Sequence, residues 1–176
     1  MKAVIFLADG FEEVEALTPW DILKRAGVNV TLVSVSGKST VTGAHGLEVK
    51  ADASDVPDAD LYVLPGGMPG TLNLASSKKV TDAVVEAYGK NKLIGAICAA
   101  PSVLGGLGIL KNKRAVCFPS FEEKLTGYVK IDSKVVRDGN VITAKGMGVA
   151  QEFALALTEA LFDAEKAKTI KSQIQA

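Results

Sequence analysis

Short apolar runs alternate along the chain with longer stretches in which apolar residues recur every three or four positions. The short runs are typical of strands buried on both faces of a sheet, and the longer stretches are typical of helices that cover it. The predicted strands span residues 3–8, 29–36, 60–67, 93–98 and 114–118. The predicted helices span residues 11–27, 77–90, 99–110 and 149–162, with a further helix in the C-terminal dozen residues.

Two hairpins interrupt this alternation. Residues 37–50 form a predicted excursion with Gly43 and Gly46 near its turn, and residues 134–144 carry Asp-Gly between two β-branched runs. Strands that alternate with helices predict an α/β fold with a mostly parallel sheet covered on both faces. No linker or repeat divides the chain, so one domain over residues 1–176 is expected. Chemistry in such folds lies at the carboxyl ends of the strands, where the segments "ADGFEEVE", "PGGMPG" and "CAAP" fall.

Charge and composition narrow the class of protein. Twenty basic residues offset twenty acidic ones, which gives no argument for a nucleic-acid or membrane partner. The opening "MKAVIFLADGFEE" has acidic residues where a signal peptide has a cleavage site, so a first strand is expected there. With only Cys98 and Cys117 as thiols, a reduced cytoplasmic protein is expected. One histidine and two cysteines make a structural metal improbable.

Cys98 closes the predicted strand 93–98 and precedes a predicted helix. Free cysteines are commonly buried filler, and that interpretation stays open. A strand-to-helix corner favours a reactive role, because unpaired N–H groups at a helix start favour an anion and lower a thiol pKa. Ala99 and Ala100 leave room around the sulfur, and Pro101 suits the first turn of a helix. The position therefore favours a thiolate nucleophile.

Acidic residues open the first predicted helix at Glu12, Glu13 and Glu15. Carboxylates in a first turn are mildly stabilising, which suffices to explain Glu12 and Glu13. If Val14 and Leu17 face the sheet, Glu15 lies about 100° from its neighbours on the helical wheel and can tilt towards the strand ends. A carboxyl beside a thiolate is protonated more readily, so Glu15 is a candidate proton donor to the sulfur and to a substrate.

The residues in the loops at the strand ends indicate which cofactors could bind there. Four carboxylates follow the first strand and repel a phosphate, which argues against a flavin or nucleotide there. The segment "PGGMPG" (65–70) lacks the spacing of a dinucleotide fingerprint. It is interpreted either as a strand-ending turn or as an oxyanion site, since glycine N–H groups can approach a carbonyl oxygen closely.

His45, in the first hairpin, is interpreted as a solvated surface residue. Cys117 is interpreted as a strand residue, with a resolving-thiol role as the alternative.

Together these segments resemble the DJ-1/ThiJ/PfpI superfamily, and most closely its DJ-1/ThiJ branch. The resemblance rests on "ADGFEEVEALTPWDILKRAGVNVTL", "DLYVLPGGMPGTLNL", "AICAAPSVL" and "EFALALTEAL", in that order. It implies a flavodoxin-like three-layer sandwich, a homodimer and no cofactor. It further implies that Cys98 is a nucleophile on a strained elbow, with Glu15 as its partner carboxyl. The backbone N–H groups of Gly67 and Ala99 then line the site, and Gly66 is a weaker candidate.

The resemblance supports the roles of other residues more weakly. Arg25 aligns with a basic residue near the dimer interface. Phe118 stands where animal members of the family have a histidine before a proline, which puts a histidine general base in doubt. Ala99 follows the cysteine where the protease branch has a histidine, and His45 lies upstream of it. A cysteine peptidase or an amidotransferase-like enzyme is therefore less favoured.

Two functional hypotheses remain. In the first, the Cys98 thiolate attacks a reactive α-oxoaldehyde or a glycated adduct, as in a glyoxalase III or protein deglycase, and Glu15 shuttles protons. In the second, Cys98 is a non-catalytic redox sensor of a redox-regulated chaperone, because oxidation also begins at an accessible thiolate. Both predict a reactive Cys98, so thiol reactivity does not separate them.

Overall fold

The fold was obtained as a computed structural model that describes residues 1–176. Its ten strands are, in chain order, β1 Lys2–Leu7, β2 Asn29–Ser34, β3 Thr40–Thr42, β4 Glu48–Lys50, β5 Leu61–Leu64, β6 Leu93–Ile97, β7 Arg114–Ala115, β8 Val129–Lys130, β9 Val135–Asp138 and β10 Val141–Ala144. Its six α-helices are α1 Glu13–Arg25, α2 Gly70–Ser76, α3 Lys78–Gly89, α4 Pro101–Gly106, α5 Ala150–Leu161 and α6 Ala164–Gln173. None of these helices combines the length and the apolar character that a membrane span requires.

A six-stranded sheet forms the centre of the molecule, in the order β2-β1-β5-β6-β10-β9. The first five of these strands are parallel, and β9 runs antiparallel to β10 at one edge. This arrangement confirms the predicted α/β class with a mostly parallel sheet. The predicted hairpin at 37–50 is confirmed as the separate pair β3-β4, and the one at 134–144 is confirmed as β9-β10.

The sheet is covered on both faces, as its strand sequences require. Along β1, Ala3, Ile5 and Leu7 belong to one buried cluster, whereas Val4 and Phe6 belong to another. Alternate side chains of a strand point to opposite faces, so both faces of β1 are apolar. Helices α1, α5 and α6 pack in the first cluster, and α3 and α4 pack in the second. Each large side chain buried in these layers contributes roughly 1.5–3 kcal/mol.

Four details differ from the sequence-based expectations. The predicted strand 114–118 is only β7, which pairs with β8 in a separate small sheet. The segment after "PGGMPG" is not the expected loop but contains the short helix α2, whose buried side consists of Gly70, Thr71 and Leu74. Helix α4 covers only residues 101–106 of the segment 99–110, and it ends at the glycines expected to close it. Helix α1 turns a different face to the sheet, since Val14 is exposed while Glu15 and Ala16 are fully buried.

Candidate active site

A tight corner after β6 presents the Cys98 side chain. Cys98 has φ 64°, in the left-handed region that non-glycine residues seldom occupy. Such a conformation costs on the order of 1–3 kcal/mol and persists only where surrounding contacts hold it. Here the Cys98 N–H donates to the Ala144 carbonyl at 2.9 Å, and the Cys98 carbonyl accepts from the Phe118 N–H at 2.8 Å. These bonds tie the corner to the end of β10 and to the segment after β7.

Glu15 reaches the same place from the first turn of α1. Its side chain is fully buried, and Oε2 accepts a hydrogen bond from the Gly66 N–H at 2.9 Å. The Glu12 N–H donates to the Gly66 carbonyl at 2.9 Å, which anchors the start of α1 to the end of β5. The other oxygen, Oε1, has no aligned hydrogen-bond donor although it lies beside the Cys98 thiol. A buried carboxyl oxygen is thus left free in the site.

Burial governs the charge of this carboxyl. It raises the pKa of Glu15 from 4.5 to about 7, despite opposing contributions from the Gly66 N–H and the nearby Cys98 thiol. The negative charge of Glu12 raises it further. At neutral pH the carboxyl therefore exists in comparable amounts as acid and as base, the condition that suits a group that moves protons.

The thiol itself behaves differently from the sequence-based expectation. Burial raises the pKa of Cys98 from 9.0 to about 12, and the charge of Glu15 and its contact with the thiol raise it as well. The N–H groups of Ala99 and Gly67 act in the lowering direction but have smaller effects. Burial beside a carboxylate thus opposes the expected thiolate, and the short helix α4 does not offset it. Cys98 rests as a thiol whose nearest base is Glu15.

Two glycines allow these groups to meet. A methyl group on Gly66 would lie 2.7 Å from the Cys98 Cβ and 2.7 Å from the Glu15 Oε2, closer than real carbon atoms approach. Gly67 has φ 88°, a conformation that glycine adopts without strain. The end of β5 thus passes directly over both reacting side chains. The structure brings Gly66, Gly67 and Ala99 together around Cys98 and Glu15.

The remaining predicted residues take separate positions. Phe118 lies beside the site, with its ring 46% exposed. Arg25 lies about 15 Å along α1 from Glu15, where Nε binds Asp21 at 2.7 Å on the surface. Cys117 is buried just beyond β7 rather than within a strand, and burial raises its pKa to about 11. Arg25 and Cys117 therefore supply no group that the structure ties to the site.

His45 is more than a solvated turn residue. The His45 side chain is 74% exposed, but its Nδ1 lies 2.8 Å from Glu13 Oε2. The backbone N–H of His45 also donates to Glu13 Oε1 at 2.7 Å. The hydrogen bond with Glu13 raises the pKa of His45. Glu12, Glu13 and His45 are the one cluster whose ligand atoms, all within 4.8 Å, could together hold a metal ion. Sequence reasoning missed this pairing because the hairpin and α1 meet only in the fold.

Sequence reasoning also missed Gly146, which follows β10. A methyl group on Gly146 would contact the Phe118 ring, the Cys98 Sγ and the Glu15 Oε1. Gly146 in "AKGMGV" carries no local signal for such a role, since glycines after strands are common. Only the pairing of β10 with β6 brings Gly146 to the elbow.

Comparison with known proteins identifies relatives along the whole chain. The model of the DJ-1/PfpI family matches residues 1–160. Protein DJ-1 homolog A of Arabidopsis thaliana is 39% identical over 176 residues, covering 96% of this chain and 45% of that protein. The chain thus spans less than half the length of the Arabidopsis proteins it matches.

Two further relatives match over nearly their full length. A Caenorhabditis elegans protein named glutathione-independent glyoxalase DJR-1.2 is 36% identical over 165 residues, covering 90% of this chain and 87% of that protein. The solved structure of oxidized Toxoplasma gondii DJ-1 superposes with a TM-score of 0.95 at 34% identity, covering 99% of this chain and 97% of that one. Such structural neighbours fit the flavodoxin-like fold. The sequence segments, the elbow geometry and these matches agree, and the chain belongs to the DJ-1/PfpI family.

Proposed function

We propose that this protein converts reactive α-oxoaldehydes such as methylglyoxal, or glycated adducts derived from them, in the manner of a glyoxalase III or protein deglycase. The observation that carries the proposal is the buried, unpartnered Glu15 Oε1 beside the Cys98 thiol. A nucleophile with an adjacent general base is the arrangement that covalent catalysis requires. The family relative named glutathione-independent glyoxalase supports the same reaction class.

The proposed reaction begins with a proton transfer from Cys98 to Glu15. The Glu15 carboxylate takes the thiol proton while the sulfur bonds to the aldehyde carbon, and the carbonyl oxygen then receives that proton, which gives a hemithioacetal. The N–H groups of Gly67 and Ala99 stabilise the developing alkoxide. No thiolate needs to exist beforehand, because the base lies beside the nucleophile.

An internal redox step follows within the bound substrate. Glu15 removes the hydrogen of the sulfur-bearing carbon as a proton and returns a proton to the neighbouring carbonyl carbon, while the hydroxyl proton of the first carbon passes to the oxygen of the second. The first carbon is oxidised to a thioester and the second is reduced to an alcohol, so electrons balance without a cofactor. Water then hydrolyses the thioester, which releases a hydroxy acid and restores the thiol.

A redox sensor that controls a chaperone is the alternative. Sulfenic acid forms on the thiolate, and the raised pKa of Cys98 keeps that form scarce. The raised pKa therefore weighs against the sensor, and the carboxyl beside the thiol supports the enzyme. The peptidase and amidotransferase alternatives lack a histidine beside Cys98, because His45 is bonded to Glu13.

Lactate release from methylglyoxal without glutathione tests the proposal. Wild type should produce lactate, and both Cys98→Ser and Glu15→Gln should lose at least about 100-fold in kcat/KM, as expected for loss of a nucleophile or general base. Cys117→Ser is the matched control and should retain turnover. Absence of lactate in wild type, together with peroxide-dependent protection of an aggregating client protein, would support the sensor instead.

We further propose that the protein acts as a homodimer, as the family resemblance implies. Val14, Leu17, Thr18 and Ile174 line a shallow surface pocket on α1, and Val14 is 38% exposed. Light scattering should give twice the mass of one chain for wild type and a smaller mass for Val14→Asp. A monomeric wild type would refute the dimer without affecting the proposed chemistry.

A further inference from the structure

An open space lies above the sulfur at Gly146. A methyl group on Gly146 would lie 4.0 Å from the Cys98 Sγ, 4.0 Å from the Glu15 Oε1 and 3.5 Å from Cδ2 of the Phe118 ring. All three are ordinary contact distances, so the space accepts a carbon atom without displacing its neighbours. Gly146 has φ 165° and ψ −173°, an extended backbone that any residue adopts. What glycine provides here is therefore room rather than backbone freedom.

The groups that face this space are the two that react in the proposed mechanism. Glu15 Oε1 is buried without an aligned hydrogen-bond donor, and its carboxyl contacts the Cys98 thiol, so a molecule bonded to the sulfur also meets the carboxyl. An atom in the space contacts both this oxygen and the sulfur. When a substrate carbon is bonded to Cys98, the carbon atoms attached to it must extend into such a space.

An apolar wall borders the space. The Phe118 ring is 46% exposed, and its backbone N–H is held by the Cys98 carbonyl at 2.8 Å. Met147 directly follows Gly146 and is 53% exposed, and Met68 directly follows Gly67 and is 46% exposed. Of these exposed apolar side chains, Phe118 is the one that contacts the space at Gly146. An aromatic wall attracts a second ring through stacking in addition to apolar burial.

We propose that Gly146 and Phe118 form a subsite beside Cys98 that holds the carbon substituent of the substrate, and that this subsite favours an aryl substituent over a methyl group. The inference rests on the proposed function only for the reacting aldehyde. Gly146 supplies the space for the substituent, and Phe118 supplies the surface on which an aryl ring stacks.

Paired substrates measure this preference. Phenylglyoxal and methylglyoxal differ only in the substituent, so the ratio of their kcat/KM values reports on the subsite. Phe118→Ala should lower the ratio of phenylglyoxal to methylglyoxal roughly 2- to 10-fold, the preference that an aromatic pair provides. Gly146→Ala should lower kcat/KM for both substrates by roughly 100-fold, because its methyl group fills the space that the reacting atoms need.

Gly148 offers the matched control for the glycine substitution. A methyl group on Gly148 meets no atom within 4 Å, so Gly148→Ala should leave both kcat/KM values unchanged. Equal thermal stability of Gly146→Ala and Gly148→Ala would show that the loss at Gly146 is local. An unchanged substrate ratio in Phe118→Ala, with turnover retained, would overturn the subsite but not the enzyme.

Alkylation tests the same subsite without turnover. Phenacyl bromide and bromoacetone each place a ketone on the sulfur: an S–C bond forms, bromide leaves, and the thiol proton goes to Glu15 or water. Rates at Cys98 are measured by intact mass, with Cys98→Ala as the blank, and are divided by the rates with free N-acetylcysteine. The phenyl reagent should be favoured in wild type and should lose that advantage in Phe118→Ala.

The two assays separate the two proposals. Phe118-dependent alkylation without aldehyde turnover would support the subsite and overturn the glyoxalase function. A phenyl advantage that is absent in wild type, or that persists in Phe118→Ala, would overturn the subsite whatever the turnover shows.

Discussion

Replacing Glu15 by glutamine should make the stability relative to wild type rise with pH, although it should abolish the proposed reaction. The buried carboxyl has its pKa raised from 4.5 to about 7. A group whose folded-state pKa is raised contributes stability that is fully present below the unfolded pKa and is lost as pH rises through the folded pKa. Wild type should therefore lose free energy of unfolding between about pH 4.5 and about pH 7 through Glu15, whereas Glu15→Gln cannot.

The magnitude follows from the shift itself. One pKa unit corresponds to about 1.4 kcal/mol, so the full shift amounts to roughly 3 kcal/mol. Between about pH 5 and about pH 8, the part that appears is about 2.5 kcal/mol. No discount for solvent screening applies, since the Glu15 side chain is fully buried. For a domain of this size the change corresponds to roughly 5–10 °C in Tm.

Urea unfolding at a series of pH values measures the effect. The quantity to plot is the unfolding free energy of Glu15→Gln minus that of wild type, because contributions from other titrating groups cancel in the difference. This difference should rise with pH and level off above about pH 7. Any cost of burying the glutamine amide is independent of pH and shifts the whole curve without changing its slope.

An exposed glutamate provides the control. Glu159 lies on the solvent side of α5, so Glu159→Gln should differ from wild type by less than about 0.5 kcal/mol. If the Glu15→Gln difference were as flat with pH as the Glu159→Gln difference, the carboxyl would have an ordinary pKa. The argument that burial makes Glu15 a base poised near neutrality would then be wrong.

Three further predictions concern the frame around this carboxyl. Cys98→Gly should be more stable than Cys98→Ala by about 1 kcal/mol in chemical denaturation, because both remove the sulfur but only glycine accepts φ 64° without strain; an alanine variant of equal stability would contradict the strained elbow. Gly66→Ala should lower stability by roughly 1–3 kcal/mol and slow alkylation at the elbow, since its methyl group overlaps Glu15. In proton NMR, the pKa of His45 should lie above the ordinary value of 6.5 in wild type and closer to 6.5 in Glu13→Gln; since it is the only histidine, an unchanged titration would disprove the ion pair.

Most of the sheet and its covering helices could be predicted because they depend on local patterns. Strands β1 and β5 consist mainly of apolar residues, and Asp9-Gly10 follow the first while Pro65 directly follows the second. The elbow was equally predictable, since Cys98 stands between a strand run and Pro101. The position of helix α1 along the chain was predicted correctly, but the face that it turns to the sheet was not. Val14 and Leu17 have the apolar spacing, yet the buried face instead includes the charged Glu15.

The reason for that error is physical. Apolar periodicity identifies a core face only where the core is apolar, and Glu15 is buried by functional geometry rather than by hydrophobicity. Its burial depends on the Gly66 N–H, which lies 51 positions away, just after β5. The expectation of a lowered pKa for Cys98 differs from the structure for a related reason. A corner before a helix suggested a lowered value, but burial and a neighbouring carboxylate raise it, and both depend on packing.

The two raised pKa values describe one shared proton rather than two isolated groups. The carboxylate of Glu15 raises the pKa of Cys98 through its charge. When Glu15 accepts the thiol proton, that charge disappears, and the same carboxyl becomes a neutral acid beside the sulfur. The pair carries one negative charge before and after the transfer, so no additional charge is buried. Proton transfer at the moment of attack is therefore far easier than ionisation of Cys98 against a charged Glu15, which is why a buried thiol beside a buried carboxylate can serve as a nucleophile.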